Sequence, residues 1–329
     1  MRGRRQGDTR WHAPDSGKMP RCIYICIYFN ALRSGELTAR QPWSEESHLE
    51  LMRELSITKS IISISSPGVH LIDHAQARAL ARQCNDFASD LVRRRPQEFD
   101  FWAALPLPDT DGALAEISYA LDTLHAAGVA LETNHAGTYL GDPAFDAVFA
   151  ELNRRKARVF IHPTSPCVKH ADPTTFLPQF PNPMFEFMFD TARALINLFL
   201  SGTIARCPDI TFVIPHAGGA LPPVMQRFCS FATDILGSEV DISSQMVKET
   251  FKRQFYFDLA GFPFPDQIWG LLRVVDPKKL LYGSDFPFTP GRGVAALAER
   301  MRTGLEEVIE DEAVIREIYT GNAERLLGI

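Results

Sequence analysis

From Trp43 onward, short runs rich in β-branched and aromatic residues alternate with longer stretches of helical periodicity, and this alternation constrains the fold more than any other feature. The strand-like runs are 58–65, 98–105, 129–133, 158–162, 210–216, 254–259 and 279–284. Helical patterns lie near 73–95, 111–127, 143–156, 185–204, 220–236, 264–273, 293–309 and 312–327. Strand followed by helix, repeated, favours a parallel sheet because each crossover returns the chain to the same end of the sheet. Adding 21–29 as a poor, atypical first strand makes eight, the number that closes a (β/α)8 TIM barrel in an α/β fold of about 250 residues or more. Within this scheme Asp111 is placed to cap the helix carrying Leu114, Ile117, Leu121 and Leu124, and Gly128 to end it.

Composition narrows the partners. Hydrophobic residues make up 45% and charged residues 22%, the usage of a globular chain, and a net charge of −6 gives no basic footprint for nucleic acid or an anionic membrane. No apolar run reaches the roughly 18 residues a membrane-spanning helix needs. Six cysteines, at 22, 26, 84, 167, 207 and 229, form no CxxC pair, as expected of a reduced cytoplasmic protein. The expected partner is a small molecule.

The first 21 residues break this pattern. Six cations (Arg2, Arg4, Arg5, Arg10, Lys18 and Arg21) against Asp8 and Asp15 give +4, leaving −10 for the rest. The apolar run 22–29 that follows is too short for a secretory signal and has no convincing cleavage site. Residues 1–40 are therefore set apart as an atypical basic segment, and 41–329 as the barrel proper.

Three of the strand-like runs end alike: VFIHP in His162, FVIPHAGG in His216, and LLYGSDFPF in Asp285. In a barrel of this type the C-terminal strand ends converge on one face, where active sites of the fold lie. Imidazole and carboxylate gathered there can share a divalent metal with a position left open for water or substrate. Singly, each has a plainer account as a backbone-bonded turn or cap residue; the repetition favours a site. Residues 163–184, rich in proline and without periodicity, read as an ordered loop whose Phe176 and Phe180 line a substrate mouth or pack beneath the loop. Asn134 follows the fourth run and is placed to border the pocket, and Asp258, at the end of FYFD, is placed to orient a ligand from behind. The pair Gly218-Gly219 leaves room for close backbone approach beside His216. His70 and His74 have i,i+4 spacing but lack the glutamate of a zinc-protease motif, and a solvated helix start explains them.

The segments FIHPTSP, VIPHAGGALP and LLYGSDFPF, with PWSEESHLELM, SISSPGVHL, LPLPD and YLGDPAFD, resemble the amidohydrolase-related decarboxylases over roughly 42–329. That group includes 2-amino-3-carboxymuconate-6-semialdehyde, γ-resorcylate and 6-methylsalicylate decarboxylases. The resemblance implies a metal-binding barrel with His162 and Asp285 as ligands, and with His216 and Asp285 as the groups that move a proton. It further implies a divalent cofactor, zinc first and manganese second. Arg227, eleven positions after His216, matches an arginine that reaches the neighbouring subunit's site to hold a substrate carboxylate, which makes the expected assembly a homodimer. The implied reaction is non-oxidative decarboxylation of a small hydroxylated aromatic acid such as 6-methylsalicylate, in polyketide secondary metabolism. Hydrolysis of a lactone or amide is the alternative chemistry.

The chain departs from the family at its first strand. Members carry His-X-His or Glu-X-His there, supplying further metal ligands, whereas the only histidines before position 70 are His12 and His48. Cys26 offers a thiolate, but an apolar strand residue is its simpler account. An inactive barrel is the reading this departure supports.

Overall fold

The computed structural model describes residues 22–25, 43–166, 181–238 and 241–329. Eight parallel strands form one sheet in strict chain order. They are β1 (Cys22–Ile25), β2 (Ile57–Ile62), β3 (Phe99–Ala104), β4 (Gly128–Glu132), β5 (Arg158–His162), β6 (Thr211–Ile214), β7 (Phe255–Asp258) and β8 (Leu280–Leu281). The sheet curls into the expected α/β barrel. Its two end strands are bridged by the C-terminal turn Glu317–Gly321 and helix Asn322–Leu327, both of which contact β1 and β8. Asn322 fixes that bridge by donating to the carbonyls of Pro277 and Leu280.

Side chains alternate across a strand, so each strand feeds two cores. Ile61, Trp102, Ala130, Phe160, Val213, Tyr256 and Leu281 point inward and fill the barrel as one cluster with Ala323 and Leu326. Their neighbours Val129, Leu131, Val159, Ile161, Phe212, Ile214, Phe255 and Phe257 point outward and pack with the helices in a larger core. Each of these large side chains stabilises the fold by about 1.5–3 kcal/mol on burial.

Some local expectations are corrected. The cap of helix Thr110–Ser118 is Asp109, not Asp111: its carboxylate accepts the Gly112 amide at 3.0 Å and is held by Arg78, leaving Asp111 in the first turn. Gly128 opens β4 and does not end that helix. The eighth run keeps only two ladder residues, because the chain turns out of the sheet before reaching Asp285 at φ 60°. Two further helices, Glu45–Glu54 and Ser244–Gln254, begin at Ser44 and Ser243, whose hydroxyls accept the amides three residues on.

Cys84, Cys207 and Cys229 are buried free thiols, and burial pushes Cys84 up to about 12. Cys26 and Cys167 lie outside the described residues. Among the described residues no helix is long and apolar enough to cross a membrane.

Candidate active site

The pleat that fills the barrel also builds the site. One step of two residues beyond inward-facing Ala130, Phe160 and Tyr256 come Glu132, His162 and Asp258, at the C-terminal ends of β4, β5 and β7. All three are buried. An apolar interior therefore ends in a layer of titratable groups.

His216 and Asp285 join this layer by a different device. Both have left-handed backbones, with φ of 55° and 60°, a conformation that costs a non-glycine residue about 1–3 kcal/mol unless its surroundings hold it. The His216 turn is held from two sides: its amide donates to Asp258 Oδ1 at 2.9 Å, and its carbonyl accepts from Gln267 Nε2 at 2.9 Å. The same Asp258 oxygen accepts the Ala260 amide at 3.0 Å. Gly219, at φ 58°, brings this turn against the helix Glu186–Leu200; a Cβ there would stand 2.5 Å from the Met188 carbonyl.

His162, His216 and Asp285 line one cavity of about 560 Å³, a size suited to a small organic ligand. Phe187, Met188, Phe262 and Phe288 give it apolar walls, and Ser65 and Ser66 add hydroxyls. The two imidazoles stand 6.1 Å apart, centroid to centroid, and Phe187 meets His162 edge-on. Burial holds both rings down to about 3, so they are neutral, and their Nδ1 atoms have no hydrogen-bond partner. Burial, reinforced by the neighbouring Asp258, pushes Asp285 up to about 7; burial does the same for Asp258.

These features test the fit of a divalent cation. Neutral imidazole nitrogens and a buried carboxylate are suitable donors, and among the described residues no lysine or arginine pairs with Asp285. All three residues line one cavity, so they fit the group chemically. They are only part of a set: among the described residues no three His, Cys, Asp or Glu side chains are grouped closely enough to hold a metal ion. Residues 26–42, which follow β1, lie outside the described residues and contain no histidine.

The other expected site residues are distributed differently. Asn134 is not among the residues lining the cavity. Its amide is committed to the Ser165 carbonyl and to Asp190 at 3.1 and 3.3 Å, and its oxygen accepts the Gly137 amide. Arg227 lines a separate surface groove with Ile196, Leu200, Val224, Phe228 and Phe231. Phe176 and Phe180 lie outside the described residues. His74 starts a helix, exposed, as expected, while Asp73 caps it. Sequence reasoning missed Glu132, the serines of SISSP, Phe187 and Gln267. The signal for Glu132 was available: it is the one charged residue of GVALE, a single pleat above Ala130.

A parallel eight-stranded barrel with imidazoles and a carboxylate at its strand ends defines a barrel-enzyme site. Residues 8–329 match the family model described as Amidohydrolase, and the chain belongs to that family. It is 36% identical over 289 residues to the 6-methylsalicylic acid decarboxylase of Penicillium expansum, covering 87% of this chain and 86% of that one. A crystal structure of an amidohydrolase II superposes with a TM-score of 0.84 at 30% identity, covering 94% of this chain and 100% of the other. The 5-carboxyvanillate decarboxylase of Novosphingobium aromaticivorans, solved with manganese and 4-hydroxy-3-methoxy-5-nitrobenzoic acid, shares the fold with a TM-score of 0.80 at 19% identity, covering 95% and 97%.

Proposed function

We propose that this protein is a cytoplasmic, metal-dependent, non-oxidative decarboxylase of a small hydroxylated aromatic acid, with 6-methylsalicylate as the model substrate and m-cresol and carbon dioxide as products. One observation carries the reading. A chain 36% identical to a 6-methylsalicylic acid decarboxylase gathers His162, His216 and Asp285 around a single largely apolar cavity.

His162 and Asp285 would hold the metal, manganese as in the Novosphingobium relative or zinc as the donor types also allow. When bound, that cation supplies Lewis acidity and positive charge to a substrate carboxylate and its neighbouring phenol oxygen. The chain's own groups do the rest. Phe187 and Phe288 offer apolar surface to a flat ring, and the cavity limits the water around it. His216, through its neutral ring, and Asp285, through its carboxyl, hold and pass the proton delivered to the ring carbon that carries the carboxylate. That carbon becomes tetrahedral, the bond to the carboxyl carbon breaks, its electron pair restores the aromatic ring, and carbon dioxide leaves.

Arg227 completes the site from a second copy of the chain. Its groove is apolar, with Leu200, Phe231 and Leu236 exposed nearby, a surface suited to burial in a homodimer.

The test is a substrate panel. Purified protein supplied with Mn2+ or Zn2+ is expected to convert 6-methylsalicylate to m-cresol. Turnover of lactones or amides alone would replace this reading with hydrolysis, and inactivity towards all of them would support the inactive barrel.

A further inference from the structure

We propose that Glu132 is a positioning residue: it receives the Nδ1 proton of His162 and thereby turns the Nε2 lone pair of that ring into the cavity. Glu132 and His162 are register partners on β4 and β5, one pleat above the apolar interior. Glu132 Oε2 stands 3.6 Å from His162 Nδ1, and both atoms are fully buried without a hydrogen-bond partner. Among the described residues, no lysine or arginine forms an ion pair with Glu132, and burial, reinforced by Asp190, pushes its carboxyl well above the usual carboxylate range, so its unprotonated oxygen is the acceptor it offers the ring. A buried polar atom left unpaired costs free energy, and an apolar side chain would fill the end of this otherwise apolar strand without that cost. The proton on the facing imidazole is what a Glu132 carboxyl oxygen can receive, and at 3.6 Å the two atoms stand just beyond hydrogen-bond distance.

The surroundings fix the pair. The turn after β2 lies on Glu132, where Gly68, at φ 77°, would place a Cβ 3.3 Å from Glu132 Cγ. On the other side Asp190 is engaged by Thr133, Asn134 and Tyr139, so it does not compete for the ring. Histidines that bind metals commonly donate their second ring N–H to a carboxylate, which sets the tautomer and the ring orientation. The inference therefore deepens the reading of His162 as a ligand and rests on it.

The experiment reads the tautomer directly. The full chain, labelled with 15N-histidine and free of added metal, is studied by long-range nitrogen–proton NMR, with the His162 signals assigned by their loss in His162→Gln. Wild type is expected to show His162 as the Nδ1–H form. Glu132→Met is expected to lose that form and to bind Zn2+ about 10- to 100-fold more weakly in a chelator competition. Glu132→Gln keeps an acceptor oxygen and is expected to retain both. The Nε2–H form in wild type, or a Glu132→Met protein with unaltered tautomer and zinc affinity, would overturn the proposal. No step of this measurement depends on turnover, so its failure and a failure of the decarboxylase assay are distinguishable.

Discussion

Asp258 holds the backbone of His216 from the neighbouring strand end, its Oδ1 accepting the His216 amide at 2.9 Å and the Ala260 amide at 3.0 Å. One carboxylate at the end of β7 therefore fixes the left-handed turn at the end of β6, and the place of the His216 ring depends on a residue at the next strand end.

Asp258→Ala leaves two buried amides unpaired, each costing about 1–3 kcal/mol. The expected result is a clearly lower melting temperature and a kcat reduced at least about tenfold as His216 loses its orientation, whereas Asp258→Asn, which keeps an acceptor oxygen, is expected to be much milder. Equal effects of the two substitutions, measured by calorimetry and steady-state kinetics, would contradict the assigned role.

His48 predicts the acid side of the stability curve. It is buried between the Trp43 indole N–H, which it accepts at 2.9 Å, and Ser60 Oγ at 2.9 Å, and burial holds it down to about 3. The unfolded chain protonates the same ring near 6.5, so between those values unfolding takes up a proton and stability falls as pH falls. The contribution is complete above about 6.5 and shrinks by about 2 kcal/mol on going from pH 6.5 to 5. His48→Gln, which has nothing to protonate there, is expected to show a flatter decline in urea unfolding at the two pH values.

Removal of metal is expected to abolish turnover. Dialysis against a chelator should lower activity at least about 100-fold and Mn2+ or Zn2+ should restore it, while His162→Ala and Asp285→Asn should retain less metal by elemental analysis than wild type. Activity that survives complete removal of metal would remove the cation from the account.

Arg227 lies in a groove apart from the cavity of its own chain. Arg227→Ala is expected to raise KM about 10- to 100-fold through loss of a charge-assisted contact to the substrate carboxylate. At a substrate concentration well below the raised KM, mixing Arg227→Ala with His162→Ala and allowing subunits to exchange should give more activity than the two variants show separately. A monomeric protein in light scattering, or no restoration on mixing, would contradict action across a subunit boundary.

Strand order and the three strand-end groups were legible because a parallel barrel repeats one local pattern, an apolar run followed by a helix, and because His162 and Asp285 interrupt that pattern where the run stops. The left-handed turns at His216 and Asp285 were not legible, since nothing in PHAGG or GSDF announces which residue takes the strained conformation; at His216, Asp258 and Gln267 select it from another strand end and a loop. Asn134 is drawn away from the cavity for a related reason. It sits at a strand end, but the burial of Asp190 one crossover later draws its amide inward. The helix Glu45–Glu54 carried readable start signals, the capping pair Ser44 and Ser47 with Glu45 and Glu46 in the first turn, and the sequence reading passed over them.

The central claim is tested most directly by running the reaction on 6-methylsalicylate in heavy water and following the product by proton and deuterium NMR. The account predicts m-cresol carrying one deuterium, at the ring carbon between the hydroxyl and methyl groups, with one carbon dioxide released per turnover and the rate collapsing in His216→Ala. Unchanged 6-methylsalicylate in the presence of Mn2+ and Zn2+, or hydrolysis of a lactone or amide by the same preparation, would contradict it.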